Sequence, residues 1–425
     1  MIKLGSNNIG KIYFGSNLIG KAYFGSNLVY SSGSGPGPGP EPQPVGNAYI
    51  RGGADGSYID TGITADNTVK VIVWARNWLP YSEGLFGSRT SADADEFVIS
   101  AISGAGVDRA RIRFGTSNSA YVDNAITEVY SHYHKYEYSE GVFKVDDVVK
   151  ATASVQTFNN NLNIHLFGIN TGGTHGSMNF PVDVFACQIY KNNVLVRDLA
   201  AVNSPSIGMF DSVSNTLFTN AGSGSFTYGS FDQSVYTPLE YIECTAQQYF
   251  DTGLYGNQNT KVVTKFRPTG TTKTFYRVFG CRADNETLML ELMIGNTSYS
   301  NRYYYARYND SNTTVYNSAS QTNNDLVYVH DANVFTLYKN NAQLATKTLT
   351  AATFTTTYTM CVGSSHESDG SGSYPFYGYI YYIGFGSDKS FVPAKVNNVA
   401  GMYDTYNDVF YPSTSGTAFV AGPEL

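Results

Sequence analysis

The segment Tyr58-Ile59-Asp60-Thr61-Gly62 occurs again as Tyr249-Phe250-Asp251-Thr252-Gly253, 191 residues later. Asn67-Thr68 returns as Asn259-Thr260, offset by 192. Leu85-Phe86-Gly87-Ser88-Arg89 returns as Val278-Phe279-Gly280-Cys281-Arg282, offset by 193, and Gly208-Met209-Phe210-Asp211 returns as Gly401-Met402-Tyr403-Asp404, again by 193. An offset this steady over such a span means duplication. Residues 46–230 and 237–425 therefore read as two copies of one domain. Each copy alternates short apolar runs with turns, as in Thr68-Val69-Lys70-Val71-Ile72-Val73-Trp74, Arg111-Ile112-Arg113-Phe114, Val334-Phe335-Thr336-Leu337-Tyr338 and Tyr379-Ile380-Tyr381-Tyr382-Ile383. No long stretch keeps the 3.6-residue helical period. Many strands at regular spacing in a domain of this size predict an all-β sandwich or jelly roll. Lys191-Asn192-Asn193-Val194 and Lys339-Asn340-Asn341-Ala342 read as tight hairpins, because Asn tolerates left-handed backbone.

Upstream of the copies, residues 1–30 repeat with a period of ten. Gly5-Ser6-Asn7, Gly15-Ser16-Asn17 and Gly25-Ser26-Asn27 are turn chemistry, and the segments between them are rich in β-branched and aromatic residues. The unit reads as short strand plus tight turn. Thirty residues cannot bury a core alone. Ile9, Ile12, Phe14, Leu18, Ile19, Phe24 and Leu28 are therefore expected to be covered between chains or on another protein, the alternative being an edge appended to the next domain. Residues 31–45 are a Gly/Ser stretch followed by alternating proline, which makes a semi-extended spacer without the collagen period.

Composition narrows the function. Charged residues are 14%, against about 25% in ordinary domains, and aromatics reach 15% with 35 Tyr. This is a surface suited to polar and aromatic contact. A net charge of −7 lacks the basic footprint of nucleic-acid binding. No run approaches a membrane span, and no apolar core follows Met1–Gly5, so neither membrane insertion nor a cleaved secretory signal is expected. Cys187, Cys244, Cys281 and Cys361 show no CxxC spacing and no match between the copies. In this alignment Cys361 falls opposite Gly168. Buried thiols are expected rather than a disulfide or metal framework.

Several of these segments carry a resemblance. Tyr241–Gly253, the pair Val194–Leu199 and Phe391–Ala394, and Gly208–Phe226 resemble concanavalin A-like (LamG-type) jelly rolls found in fibre and adhesin proteins of tailed gut phages. The likeness extends to virion proteins of crAss-like phages of Bacteroidales, whose virion-attachment leader is similar to the repeat at residues 1–30. The resemblance implies an anchor, a spacer and two tandem jelly rolls. As function it implies a virion head or tail fibre, made in the host cytoplasm, with a homotrimer as the expected assembly. Its partners would be capsid or tail proteins at residues 1–30 and host-surface polysaccharide at the jelly rolls. A non-binding structural spacer and a carbohydrate-active enzyme are the alternatives, because the fold hosts all three.

The residues weigh against the enzyme. The Glu-x-Asp-x-Glu strand that sets two carboxyls about 5 Å apart is missing, and Asp93-Ala94-Asp95-Glu96 reads as a solvated loop. His132 and His134 share a strand face but lack an obvious third ligand, so no metal centre is expected of them. Calcium occurs in some LamG-type domains, with Asp55, Asp60, Asp211, Asp251 and Asp404 as conceivable ligands. Asp60 and Asp251 precede Thr-Gly, where a local Asx turn is the plainer reading. Sugars stack on aromatic rings. The glycan-binding candidates are Trp78, Tyr130, His132, His134 and Tyr136 in the first copy and Tyr303, Tyr305 and Arg307 in the second. Trp74 is assigned to the core and Trp78, beside Leu79-Pro80, to the surface.

Overall fold

The computed structural model describes residues 47–425 except 79–82, 92–93, 102–108, 116–118, 124–132, 177, 179, 233–234, 270–274, 284–286, 299–300, 320–323, 340–341 and 368–371. Before residue 47 it describes the backbone of short strands between Lys3 and Ser31. The chain is all-β, with no α-helix among the described residues. It contains two tandem jelly-roll sandwiches, each made of two sheets whose main paths are antiparallel.

In the first sandwich one sheet runs, edge to edge, Ser119–Asp123, Arg109–Gly115, Glu96–Ala101, Glu83–Arg89, Asn159–Leu166, Ile59–Asp66. The other runs Val148–Thr152, Val142–Val145, His134–Ser139, Val69–Arg76, Val182–Lys191, Val194–Val202, Gly208–Asp211, Thr216–Phe218, with Ala48–Gly52 also paired to Val182–Lys191. The second sandwich repeats both orders strand for strand. Its first sheet is Ser311–Ala319, Asn301–Asn309, Met289–Ser298, Phe275–Cys281, Thr355–Val362, Phe250–Asn257. Its second runs from Ala342–Thr348 through Val334–Lys339, Leu326–Asp331, Val262–Pro268, Gly378–Phe385, Lys389–Val396 and Val399–Asp404 to Val409–Pro412. The duplication seen in the sequence is thus a duplication of topology.

Local chemistry accounts for the tight turns. Lys191 pairs with Val194 across Asn192 and Asn193, whose φ values of 50° and 61° are those of a type I′ hairpin. The second copy uses the same turn chemistry one hairpin later, where Asn397-Asn398, at 49° and 64°, joins the paired Val396 and Val399. In the N-terminal repeat, Leu4 pairs with Asn7, Phe14 with Asn17 and Phe24 with Asn27, so each Gly-Ser pair lies between hairpin partners. The side chains expected to need cover there, Ile9, Ile12, Phe14, Leu18, Ile19, Phe24 and Leu28, lie outside the described residues.

Val69–Arg76 shows how the sandwiches meet. Val69, Val71, Val73 and Ala75 fill the first sandwich's interior. The intervening Ile72 and Trp74 are equally buried, packed with Tyr49, Phe185, Phe231 and Tyr236 against Val392, Ala394 and Tyr403 of the second sandwich. A run apolar at consecutive positions is the mark of a strand covered on both faces. Trp74 is therefore core, as expected, but at the junction rather than between its own sheets.

A buried ion cluster closes the junction. Asp183 accepts hydrogen bonds from Arg51 Nε (2.6 Å) and Nη2 (3.0 Å), from Arg76 Nε (3.0 Å) and Nη2 (2.8 Å), and from Asn77 Nδ2 (3.0 Å). Both arginines also reach across. Arg51 donates to the carbonyls of Tyr406 (2.6 Å) and Thr405 (3.1 Å), and Arg76 to Asp408 (3.3 Å). In return, Thr405 Oγ1 donates to Asn77 Oδ1 and the Tyr406 hydroxyl to the Pro181 carbonyl.

Candidate functional site

The six-strand path of the second sandwich that begins at Ser311–Ala319 turns one face to its core and one outward. Alternation sorts its side chains. Tyr276, Leu290, Leu292, Ile294, Tyr304, Ala306 and Tyr308 point inward. Phe275, Arg277, Glu291, Met293, Tyr303, Tyr305 and Arg307 fall on the other face.

Register brings the rings on that face together. Phe275 pairs with Gly295 and Gly295 with Tyr303; Arg277 pairs with Met293 and Met293 with Tyr305. Gly295 leaves the space the rings occupy. A Cβ there would lie 2.9 Å from the Phe275 ring and 3.0 Å from the Tyr305 ring. Tyr303 and Tyr305 stack with centroids 6.0 Å apart and planes inclined by 26°. Phe275 remains 40% exposed and Tyr374 42% exposed, values unusual for rings on a packed face.

Beside these rings, on the same face, lies a buried charge cluster. Glu291 Oε2 accepts from Arg277 Nε at 2.9 Å and from Ser365 Oγ at 2.9 Å, and its Oε1 lies 3.2 Å from Arg307 Nη1. The Tyr374 ring covers the Arg277 guanidinium at 3.9 Å. Burial depresses the Arg277 pKa, with Arg282 and Arg307 adding to this against the pull of Glu291. Its Nη1 has no hydrogen-bond partner among the described residues. Among the described residues the result is an aromatic platform beside a buried polar cluster, suited to stacking against a flat apolar ring face. A more polar recess of about 340 Å³ beside Asn257, Lys261 and Asp388 offers two rings, Tyr255 and Phe385, against four here.

The platform contains Tyr303, Tyr305 and Arg307 from the sequence expectation, with Arg307 as buried support rather than contact. Phe275, Tyr374, Arg277 and Glu291 were missed. The alternation in Phe275-Tyr276-Arg277 marks an outward Phe and Arg, but only the register shows what they face.

The first-copy candidates do not form a site. Trp78 is 0% exposed and meets Tyr136 edge-on at 5.3 Å inside the sandwich. Tyr136 is equally buried. His134 is tied to Asp146 by its Nδ1, 2.6 Å from Oδ2. Tyr130 and His132 lie outside the described residues. At the platform's positions the first copy has Gly84, Ser100 and Arg111, so the duplicated faces have diverged. Glu96, read as part of a solvated loop, is buried and receives Arg113 Nη1 at 2.6 and 2.8 Å.

The carboxylates considered for calcium are largely committed to backbone. Asp211 accepts from the amides of Asp198, Val213 and Ser214, and Asp404 from those of Ser390 and Tyr406. Asp55 holds Ser57 and Ser225. Asp60 and Asp251 each make the expected Asx turn, to Gly62 at 2.9 Å and Gly253 at 2.8 Å. All four cysteines are free and buried, as expected.

No family model matches this chain, and no curated protein does. Among solved structures it is similar to domains LG4-5 of mouse laminin alpha1, with 12% identity and a TM-score of 0.31 over 90% of this chain and 96% of that one. It is also similar to a putative carbohydrate binding protein from Bacteroides ovatus, with 9% identity and a TM-score of 0.32 over 68% and 77%. A third similarity is to the LG1-3 region of the laminin alpha2 chain, with 10% identity and a TM-score of 0.27 over 89% and 66%.

Proposed function

We propose that this protein is a tethered glycan-binding fibre or decoration protein of a phage virion, binding sugars on the outer face of its second sandwich. The observation that carries the glycan reading is the cluster of Phe275, Tyr303, Tyr305 and Tyr374 on one sheet face, two of the rings strongly exposed beside a buried ionic cluster. Pyranose rings present apolar faces that stack on such surfaces. The platform acts by adhesion and not by catalysis. The tethering reading rests on the sequence: an apolar ten-residue repeat too short to fold alone, then a Gly/Pro spacer. Weak platform contacts gain from presentation in several copies, because tethering raises the effective concentration.

Binding to host-surface polysaccharides, read on a glycan array, should be lost or weakened roughly 5–30-fold in Tyr305→Ala and Phe275→Ala, a cost of about 1–2 kcal/mol per stacked ring. Binding that survives both substitutions removes the platform from the reading, and no binding to any host polysaccharide leaves a spacer. Assembly is checked by light scattering. The intact chain should be a trimer and a chain beginning at Val45 a monomer. If both are monomeric, residues 1–30 have no homotypic partner.

A further inference from the structure

We propose that Asp251, Cys361 and His366 form a binding site for a divalent transition metal of the zinc type. Their donor atoms, one oxygen, one sulfur and one nitrogen, all lie within 4.8 Å of one another. Three separate strands supply them. Asp251 opens Phe250–Asn257, Cys361 is its direct partner in Thr355–Val362, and His366 ends the short strand Ser365–His366 beside Cys281. A mixed O, S and N set selects zinc, cobalt or nickel over calcium and magnesium, which take oxygen ligands.

The donors are held in place. Asp251 Oδ1 is fixed by the Gly253 amide, and Oδ2 accepts from Thr359 Oγ1 at 2.7 Å. The same threonine sits on the histidine: His366 Nδ1 is 3.1 Å from its carbonyl and 3.2 Å from its hydroxyl. Groups that brace both a carboxylate and an imidazole are the usual support of metal ligands. Cys361 lies opposite Asp251 and outside the sandwich's apolar cluster, yet is almost fully covered. A bound dication would take this residue as the thiolate. Three protein donors leave a fourth tetrahedral position to water or an external ligand.

The first sandwich supports this independently. His165 faces Asp60 just as Cys361 faces Asp251, so the structure aligns Cys361 with His165 and not with Gly168. His175 completes that corner. The two imidazoles approach with Nδ1 atoms 3.3 Å apart under the Tyr58 ring. The contact is a hydrogen bond between the rings, and its length is also the spacing of two ligands on a tetrahedral metal with bonds of about 2.0–2.1 Å. His175 Nε2 is buried without a hydrogen-bond partner among the described residues. Both copies thus keep metal-ligating residue types beside Asp-Thr-Gly, although their platform faces have diverged.

The test is a Co²⁺ titration of the full chain after treatment with a chelator and under reducing conditions. A near-ultraviolet thiolate-to-cobalt band should appear, saturate at about one equivalent and disappear on adding Zn²⁺. The histidine corner of the first sandwich has no thiol and adds nothing to that band. Cys361→Ser should abolish it, and His366→Ala should weaken cobalt binding at least tenfold. Asp251→Asn, which keeps the Asx turn on a partly exposed side chain and leaves the fold intact, should also weaken it at least tenfold. Absence of the band, its survival in Cys361→Ser, or unchanged affinity in Asp251→Asn would overturn the inference.

Discussion

Asp183→Ala is expected to cost about 3–5 kcal/mol of stability, the cost of removing one partner from a buried ion cluster. The carboxylate is fully buried and stands between two guanidinium groups, Arg51 and Arg76, that are themselves largely withdrawn from water. Asp408 is the other carboxylate in reach, on Arg76 alone, and it is partly exposed. Removing Asp183 leaves two cations inside the junction with one peripheral partner. Each would then have to be hydrated where packing leaves no room, so the junction opens or the first sandwich unfolds. Urea denaturation followed by tryptophan fluorescence reads this directly. The chain's 2 Trp are Trp74 at the junction and Trp78 in the first core, so the signal reports this half of the molecule. A loss below about 1 kcal/mol would mean that water already reaches the cluster.

Trp78→Ala is expected to cost about 3–5 kcal/mol as well, through a different mechanism, and to leave glycan binding by the folded protein unchanged. The indole fills space beside Tyr136 between the two sheets of the first sandwich, and its neighbours hang on strands that cannot close the gap. The cost is lost transfer free energy plus an unfilled cavity. The same denaturation experiment, read from Trp74, gives the first number, and the glycan array gives the second. A stable variant with lost binding would place Trp78 in a ligand site and contradict its burial.

The duplication was legible because turn and ladder chemistry repeats. Asp-Thr-Gly recurs since both copies need an Asx turn entering the same strand, and Gly-Met-Phe/Tyr-Asp recurs since Asp211 and Asp404 staple equivalent turns. Half of the platform was legible for a similar reason. Strand alternation separates Tyr303 and Tyr305 from the inward Tyr304 with no tertiary knowledge. What failed depended on contacts distant in sequence. Trp78 next to proline suggested a surface loop, but Asn77 at φ 66° turns the chain back and sends the ring inward. Cys361 was misaligned because the second copy gains residues between Phe275–Cys281 and Thr355–Val362, so an offset counted from earlier strands slips past His165. Asp183 gives no local sign of its role, since Arg76 and Arg51 lie 107 and 132 residues away in sequence.

The position of Arg51 has a mechanical consequence. It lies on Ala48–Gly52, the first strand after the spacer, which is zipped antiparallel on both sides, to Val182–Lys191 and to Thr227–Ser230. A pull arriving along the spacer therefore loads two ladders in shear, where many hydrogen bonds must yield together instead of one after another. Through the Arg51 bonds to Thr405 and Tyr406 part of that tension enters the second sandwich at once, without travelling through the interior of the first.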